Sequence, residues 1–478
     1  MKFNGFDGET FKPCHALRSG AKYPKNKAEE SYDVIIIGAG ISGLTAAYTL
    51  KDQLAVRVIE KENRIGGASK RGNWKGINYS LGAADTGQTY QIEYKGKKFD
   101  FLSKIFKELK IPWKEVRYPS SAFKYRGNIV IDPFCSCHEQ GTTSAEVAKS
   151  FEDSMQKLRR VLEEYGEPVI PIEASPPSSM SLDRMTLQEV FTGATSPFSA
   201  FLNSFSRATF GARADKISAF LGLYYLGRES EKRYACPGGN ATVSESLAAK
   251  INNKIELNCT AISIEQEDTA CYVSFIDGNG IVRTYESKAV IIASEKHYLP
   301  HIIKDLPEDQ KKAFKKIRYN AYIVANIFTN HIIYNSAFAT YFDDAIFGDI
   351  VIADWVASGE KNQVGTSAPA VYTLYCPIEE NQRQYLLSQP SQFWLDKILV
   401  EFERQFPDSR NKIEEIRLQR YGHHYILSGP GFINNRNLIK RPFNNIFFAK
   451  DDTQGIPSLE SAIWSGLEAA NDVLEKLA

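Results

Sequence analysis

The chain has 478 residues, 43% of them hydrophobic and 24% charged, which is enough for a large core divided among two or three domains. Lys and Arg (58) nearly balance Asp and Glu (57), giving a net charge of +1. The chain therefore lacks the strong positive electrostatic field that would attract nucleic acid or an acidic membrane surface. No apolar run approaches about 18 residues, which argues against a membrane-spanning helix.

The N-terminal region and the cysteines indicate a cellular location. Residues 1–30 contain no apolar segment followed by a small-residue cleavage site, so we expect no secretory signal. The seven cysteines are odd in number and scattered along the chain, which favours reduced thiols over a disulfide framework. We therefore expect a cytoplasmic protein.

The first predicted elements form a βαβ unit. Residues 1–31 are a polar lead-in without clear periodicity, and regular structure is predicted to begin at Tyr32. Asp33–Gly38 is a β-branched run that ends in glycine, the pattern of a buried parallel strand. A helix is predicted at Ser42–Leu50 and a second strand at Ala55–Glu60. Strand, helix and strand within about 30 residues make a βαβ unit.

The rest of the chain alternates between segments that differ in composition and in predicted secondary structure. Residues 88–235 are rich in Tyr and Phe, with predicted helices at Phe99–Leu109, Ala145–Tyr165 and Leu187–Phe210. Alternating helix and strand patterns follow, at Ala241–Asn252, Ile255–Gln266, Tyr272–Asp277 and Tyr285–Ser294. A mixed region then has predicted strands and a helix at Ala321–Phe328, Val371–Tyr375 and Phe393–Phe406. A strand at Asn445–Ala449 and a helix at Leu459–Leu477 end the chain.

The clearest motif is Gly38-Ala-Gly40-Ile-Ser-Gly43 between the first strand and its helix. Gly38 permits a tight turn, Gly40 lets backbone N–H groups approach a pyrophosphate, and Gly43 lets the helix pack closely on the strand. The helix N-terminus presents unpaired N–H donors to the anion. Glu60, at the end of the second strand, is placed to accept the ribose hydroxyls of an adenosine. These features together predict a dinucleotide site.

A second glycine pair indicates which dinucleotide is bound. The segment from Glu60 to Ala68 contains Arg64-Ile-Gly66-Gly67, and it resembles the second FAD fingerprint of the flavin amine oxidase superfamily, which includes monoamine oxidases, phytoene desaturases and protoporphyrinogen oxidases. Pro237–Gly239, Asn445–Asp451 and Pro457–Gly466 resemble later motifs of that superfamily, in the same order. The resemblance implies FAD, held without a covalent bond by Gly38, Gly40, Ile41, Ser42, Gly43, Glu60, Lys61, Arg64, Gly67, Ala68, Gly82, Ala83, Ala261, Asp451, Ser458, Leu459 and Ala462.

The sequence departs from the superfamily pattern in four respects. Lys450 and Ser461 stand where glycines are usual, although neither change removes a backbone contact. The attachment cysteine of some monoamine oxidases has no counterpart in Thr453–Leu459. Many relatives carry a lysine near the flavin on the strand that matches Tyr319–Phe328, and this chain has none there.

Few residues can be singled out for chemistry. His423 and His424 lie in a segment that relatives run past the flavin, where an imidazole could carry a proton or bind substrate; a structural role is the alternative, and His423 is the stronger candidate. Cys135, Cys137 and His138 are close in sequence, but no second ligand cluster has a matching spacing, so we expect no metal site.

The predicted fold class is α/β, with a Rossmann-type FAD-binding domain built from separated segments and an inserted α+β substrate domain. The FAD-binding domain is expected at 32–87, 236–295 and 441–478, and the substrate domain at 88–235 and 296–440. The favoured reaction oxidises a C–N bond of a small amine or amino acid, with O₂ reoxidising the flavin. The alternatives are a C–C desaturase, isomerase or porphyrinogen-type oxidase of the same fold, and a flavin-binding protein without turnover.

Overall fold

The computed structural model of the protein describes residues 1–8, 11–87, 92–94, 96–116, 119–134, 144–353 and 369–478. Its strands are β1 Lys2–Gly8, β2 Glu30–Ile37, β3 Val56–Ile59, β4 Arg71–Trp74, β5 Ile77–Ser80, β6 Ile92–Tyr94, β7 Lys97–Phe99, β8 Lys114–Glu115, β9 Ser121–Tyr125, β10 Asn128–Ile131, β11 Tyr234–Ala235, β12 Ile255–Glu256, β13 Thr260–Glu267, β14 Ala270–Ile276, β15 Val282–Ile292, β16 Tyr319–Thr329, β17 Ala339–Phe342, β18 Asp349–Ile352, β19 Ala370–Ile378, β20 Ile413–Ile426 and β21 Ile446–Phe448.

The α-helices in the described part of the chain are α1 Lys12–Arg18, α2 Ile41–Leu50, α3 Phe101–Leu109, α4 Ala145–Tyr165, α5 Pro177–Met180, α6 Leu187–Val190, α7 Ser196–Phe210, α8 Ala219–Leu226, α9 Ala241–Ala249, α10 Glu308–Lys316, α11 Tyr385–Ser388, α12 Ser391–Gln405, α13 Phe432–Lys440 and α14 Leu459–Leu477. The helices predicted at Ala145–Tyr165 and Leu459–Leu477 are confirmed with the same bounds.

The first large sheet has the strand order β12-β3-β2-β15-β14-β13, and β21 also pairs with β15. Its central strand β2 is parallel to both neighbours, with Val34 opposite Val56 and Ile37 opposite Ile292. Ile35 and Ile36 are fully buried because both faces of the sheet are covered, which explains the continuous apolar run in the sequence. The predicted α/β class with a Rossmann-type domain is confirmed.

The second large sheet has the order β1-β20-β16-β19-β18-β17-β9-β10. Every residue of β16 is buried. Helix α12 covers one face of this sheet, where Ile398 and Phe402 are fully buried in an apolar cluster. On the other face, Tyr322, Tyr375 and Tyr421 belong to a separate buried cluster next to the first sheet's domain. That second face forms one wall of the site described below.

Three sequence predictions about secondary structure are wrong. The lead-in 1–31 is not irregular, because β1 pairs in parallel with β20 and α1 follows it; the pairing partner lies about 400 residues away and leaves no local pattern. The predicted helix Leu187–Phe210 is two helices, because Gly193 has a φ of +86° and Pro197 opens a new first turn. The predicted strand Ile255–Gln266 is interrupted at Asn258, which has a φ of +57°, so β12 pairs with β3 while β13 pairs with β14.

The segment Cys135–His138 lies outside the described residues. None of the helices in the described part of the chain combines the length and hydrophobicity that a membrane span needs.

Candidate active site

Glu60 directly follows β3, and its side chain is almost fully buried. Its Oε2 accepts the backbone N–H of Ala39 at 2.7 Å, and its Oε1 accepts the backbone N–H of Glu62 at 2.9 Å. Burial raises the pKa of Glu60, and the two hydrogen bonds oppose that effect. The carboxylate is thus fixed in place at the wall of a cavity, where each oxygen keeps a lone pair for a ligand.

The two glycine segments lie side by side. Gly66 donates its N–H to the carbonyl of Ala39 at 2.8 Å, and a Cβ on Gly67 would lie 3.2 Å from the Cα of Gly40. A Cβ on Gly43 would lie 1.9 Å from the carbonyl oxygen of Gly38, which no side chain could tolerate. The approach of backbone to backbone explains why these positions are glycine.

Two helix N-termini meet at the same cavity. Helix α2 begins after Gly40 with no side-chain cap on its N–H groups, whereas Ser458 caps α14 by accepting the N–H of Ser461 at 3.0 Å. The helices cross closely, because a Cβ on Gly466 would lie 2.3 Å from the carbonyl oxygen of Ser42. Ile41 and Leu459, the first residues of the two helices, both line the cavity, so the positive ends of both helix dipoles face it, which suits an anionic ligand.

One continuous cavity runs between the two sheets. Most of the residues predicted to bind FAD line it, and they are Gly38, Gly40, Ile41, Ser42, Glu60, Lys61, Gly67, Ala68, Ala83, Ala261, Asp451, Ser458, Leu459 and Ala462. Three predicted residues are not among its lining residues: Arg64, Gly43 and Gly82. Gly82 supports the wall instead, since a Cβ there would lie 2.0 Å from the carbonyl oxygen of Ala68.

Lys450 keeps the backbone conformation of a glycine. Its φ of +94° and ψ of 152° lie in a region that side chains disfavour. Its Nζ forms an ion pair with Oδ1 of Asp451 at 2.9 Å, and both residues line the cavity. The departure from the superfamily pattern therefore changes the side chain and leaves the local backbone path as a glycine would have it.

His423 stacks on His297, with ring centroids 4.0 Å apart and an interplanar angle of 17°. Burial, the neighbouring His297 and the charge of Arg383 lower the pKa of His423 to about 2. Burial likewise lowers the pKa of His297 to about 4. Both imidazoles line the cavity as neutral rings. The side chain of His424 lies outside the described residues.

A buried lysine lies close to the cavity wall, but it does not belong to the strand on which many relatives carry one. Strand β16 contains none, as expected, but Lys296 follows β15 and is fully buried. Its Nζ bonds Oδ1 of Asp452 at 2.6 Å, and the hydroxyl of Tyr319 donates to Oδ2 of the same carboxylate at 2.7 Å. Burial lowers the pKa of Lys296. Lys296 is not among the residues that line the cavity, so this group supports the wall from behind.

Another part of the cavity wall carries a charged cluster around Arg233, which was not predicted from the sequence. Arg233 Nη1 bonds Asp85 at 3.0 Å, and its Nη2 bonds Glu229 at 2.8 Å and the hydroxyl of Tyr341 at 3.0 Å. All four side chains line the cavity. Glu229 and Arg233 are only four residues apart, but Asp85 and Tyr341 come from distant stretches of sequence, which no spacing within the chain could have joined to them.

Further aromatic and polar residues line the cavity. Tyrosines from several parts of the chain contribute, and they are Tyr224, Tyr225, Tyr298, Tyr341, Tyr375, Tyr421 and Tyr425. Phe11, Cys14 and His15, from around helix α1, line the cavity as well. Their spacing along α1 places Phe11 and His15 in contact, with ring centroids 5.1 Å apart, but the helix is too short to show a periodic pattern.

Comparisons with known proteins agree with this geometry. The family model described as flavin containing amine oxidoreductase matches residues 41–474. Amine oxidase A of Sus scrofa is 22% identical over 492 residues, covering 95% of this chain and 86% of that protein. Oxidoreductase PigB of Serratia sp. (strain ATCC 39006) is 26% identical over 286 residues, covering 55% of this chain and 41% of that protein. The chain spans about half the length of the first curated relatives it matches.

Solved structures with the same fold include cyclohexylamine oxidase from Brevibacterium oxydans IH-35A, with a TM-score of 0.70 and 19% identity over 93% of this chain and 99% of that chain. Putrescine oxidase bound to putrescine gives a TM-score of 0.70 and 16% identity, with the same coverage of both chains. The resemblance drawn from the sequence motifs is confirmed, and the chain belongs to the family of flavin containing amine oxidoreductases.

Proposed function

We propose that the protein is an FAD-dependent oxidoreductase that oxidises a C–N bond of a small amine or amino acid. The observation that carries this proposal is a single cavity with two different ends. One end combines glycine segments, helix N-termini and the Glu60 carboxylate, and the other is walled by tyrosines and carboxylates. The first end suits a dinucleotide, and the second suits a cationic organic molecule.

The residues present fit FAD. Glu60 would accept the ribose hydroxyls, the N-terminus of α2 would face the pyrophosphate, and Ala261 would contact the adenine. Asp451 would meet the ribityl chain, while the N-terminus of α14 at Ser458 would face the pyrimidine edge of the flavin. When bound, FAD supplies the two-electron acceptor that this reaction requires. Non-covalent binding is supported by the absence of cysteine from Thr453–Leu459.

In the proposed reaction, the α-carbon of a neutral amine gives up a hydride and the nitrogen gives up a proton. The product is an imine, which water hydrolyses after release. The tyrosine wall would exclude water and hold the amine in position. The hydroxyl of Tyr375 donates to the carbonyl of Gly82 at 2.6 Å, so Tyr375 would lie on the side of that wall next to the flavin. O₂ is the proposed oxidant that removes the two electrons as hydrogen peroxide.

Carboxylates in the cavity favour amines over uncharged lipophilic substrates. Asp85, Glu229 and Asp349 line the substrate end, and Arg233 is the cation that the first two already bind. A polyene or a porphyrinogen has no cationic group to pair with these carboxylates, and its binding would remove them from water without compensation. Similarity to a cyclohexylamine oxidase and to amine oxidase A supports the same choice. The C–C oxidase of the same fold therefore ranks second.

His423 has a narrower proposed role than the sequence suggested. Because its pKa is lowered to about 2, the imidazole is neutral at physiological pH and is a weak base. We propose that His423 and His297 together form a rigid, uncharged part of the cavity wall, and that His423 acts by positioning. His424 stays a candidate from the sequence alone, and a cytoplasmic location stays a prediction.

The proposal is tested by cofactor release and by peroxide formation. Heat or acid treatment should precipitate a colourless protein and leave free FAD in the supernatant, since no covalent bond is expected. Aerobic addition of amines should then produce peroxide, while polyenes and porphyrinogens should not. Peroxide formation only with the lipophilic substrates would favour C–C oxidation, and a flavin that no substrate class reduces would favour a binding protein without turnover.

A further inference from the structure

Asp349 stands between two tyrosines on the cavity face of the second sheet. It begins β18, where its Cα lies opposite that of Tyr375 on β19 and that of Tyr341 on β17. Directly opposed residues on neighbouring strands point to the same face, with Cβ atoms about 5 Å apart. All three side chains line the cavity, so the carboxyl group is flanked on both sides by an aromatic ring.

One oxygen of the Asp349 carboxyl group has no hydrogen-bond partner among the described residues. This oxygen, Oδ1, is enclosed. Burial, together with the charge of Asp85, raises the pKa of Asp349 to about 8. An enclosed carboxyl oxygen without a donor is costly unless a ligand supplies one, so the site is complete only with a donor or cation bound.

The charges around Asp349 leave this end of the cavity acidic. The guanidinium of Arg233 is bound by Asp85 and Glu229, and Glu460 adds a further buried carboxylate, which accepts a hydrogen bond from Thr86 at 2.9 Å. The two other basic side chains of this wall are engaged in ion pairs, Arg228 with Glu167 at 3.0 Å and Lys232 with Glu115 at 2.9 Å. A cationic ligand group would therefore meet an excess of negative charge.

A carboxylate is unsuited to the nitrogen that reacts. The amine must be neutral when its α-carbon gives up a hydride, and an adjacent carboxylate would stabilise the protonated, unreactive form. Tyr375 donates to the carbonyl of Gly82, one of the residues proposed to hold FAD, whereas Asp349 lies one strand farther along the wall. The position of the carboxyl group thus suits a second nitrogen, away from the reacting one.

We propose that Asp349, flanked by Tyr341 and Tyr375, binds an unreactive ammonium group, so that the preferred substrates are amines with a second cationic nitrogen. This inference rests on the proposed amine oxidation and specifies its substrate class. A bound cation would lower the pKa of Asp349 again, so the ionised carboxylate supplies a charge-assisted hydrogen bond and the tyrosine rings supply cation–π contacts. A charge-assisted bond of this kind corresponds to an affinity gain of about 10- to 100-fold.

The test compares α,ω-diamines of increasing length with n-alkylamines of the same length, using anaerobic flavin reduction to obtain Kd. Wild-type protein should bind the best diamine about 10- to 100-fold more tightly than its matched monoamine. In Asp349→Asn, which keeps the shape and removes the charge, that ratio should fall close to one. The matched control is Asp132→Asn, since burial also raises the pKa of Asp132 but that residue does not line the cavity; its ratio should stay at the wild-type value.

Two results would overturn the inference while leaving amine oxidation intact: equal affinity of the wild-type protein for diamines and monoamines, or an unchanged ratio in Asp349→Asn. If no amine reduces the flavin, the proposed function fails, and an α,ω-diamine, whose ammonium groups can still donate to Asp349, then tests the site on its own as a ligand. It should shift the flavin absorbance of the wild-type protein, with at least about tenfold weaker binding to Asp349→Asn. Equal binding to both proteins would remove Asp349 from the site.

Discussion

Replacing Glu60 with glutamine should weaken FAD binding by more than the loss of one charge suggests. Both oxygens of Glu60 accept backbone N–H groups, from Ala39 and Glu62. A carboxamide has one acceptor oxygen, so its NH₂ group must face one of those N–H donors and leave it unpaired. Hydrogen bonds to a charged acceptor contribute about 1.5–3 kcal/mol and neutral ones about 0.5–1.5 kcal/mol. We expect a 10- to 100-fold rise in the Kd for FAD, since each factor of ten is about 1.4 kcal/mol.

The assay is a fluorescence titration of apoprotein with FAD, run together with thermal unfolding of the same preparation. Glu60→Gln should also lower the free energy of unfolding of the apoprotein by about 1–3 kcal/mol, through the unpaired backbone N–H. Glu265→Gln is the matched control, because Glu265 pairs with Lys25 outside the cavity. An unchanged Kd for Glu60→Gln in a folded protein would show that Glu60 does not bind the ribose.

Two further substitutions test the cavity walls. Gly43→Ala should abolish FAD retention and lower the melting temperature, because its Cβ would lie 1.9 Å from the carbonyl oxygen of Gly38; normal flavin content would contradict this. The pKa values of His297 and His423 are lowered to about 4 and about 2, so the unfolded state takes up protons below about pH 6.5 before the folded state does, and stability falls as pH drops. Between about pH 7 and pH 5, His423→Phe should lose about 2 kcal/mol less unfolding free energy than wild type, measured by urea denaturation; equal losses would refute a buried neutral imidazole.

The parts of the fold that could be predicted are those that local patterns encode. The β2–turn–α2 unit follows from an apolar run, a glycine turn and helix formers that are consecutive in sequence. Helix α14 could be placed residue by residue because its apolar positions repeat regularly and Ser458 caps it. The break at Gly193 was missed because a single glycine inside a helical pattern is often tolerated, and only the structure shows its φ of +86°.

Residues at the cofactor end of the cavity could likewise be predicted from local sequence patterns, whereas those at the substrate end could not. Glu60 and the glycines around it were predicted because a motif with fixed spacing holds them together. Asp349 was missed because its neighbours Tyr341 and Tyr375 are brought together by strand register, which no spacing in the sequence reveals. His423 was noticed for its residue type, but its low pKa depends on burial and on His297, which stacks against it from more than 100 residues away.

The most direct test of amine oxidation is an anaerobic titration of the FAD-loaded protein with a panel of monoamines, diamines and amino acids. Without O₂, electrons taken from the substrate remain on the flavin, so oxidation of the substrate and loss of flavin absorbance are the same event. If the protein oxidises amines, at least one amine should bleach the flavin fully, and admitted O₂ should restore its absorbance with release of peroxide. A flavin that dithionite bleaches, but that every amine and amino acid leaves oxidised, would contradict amine oxidation.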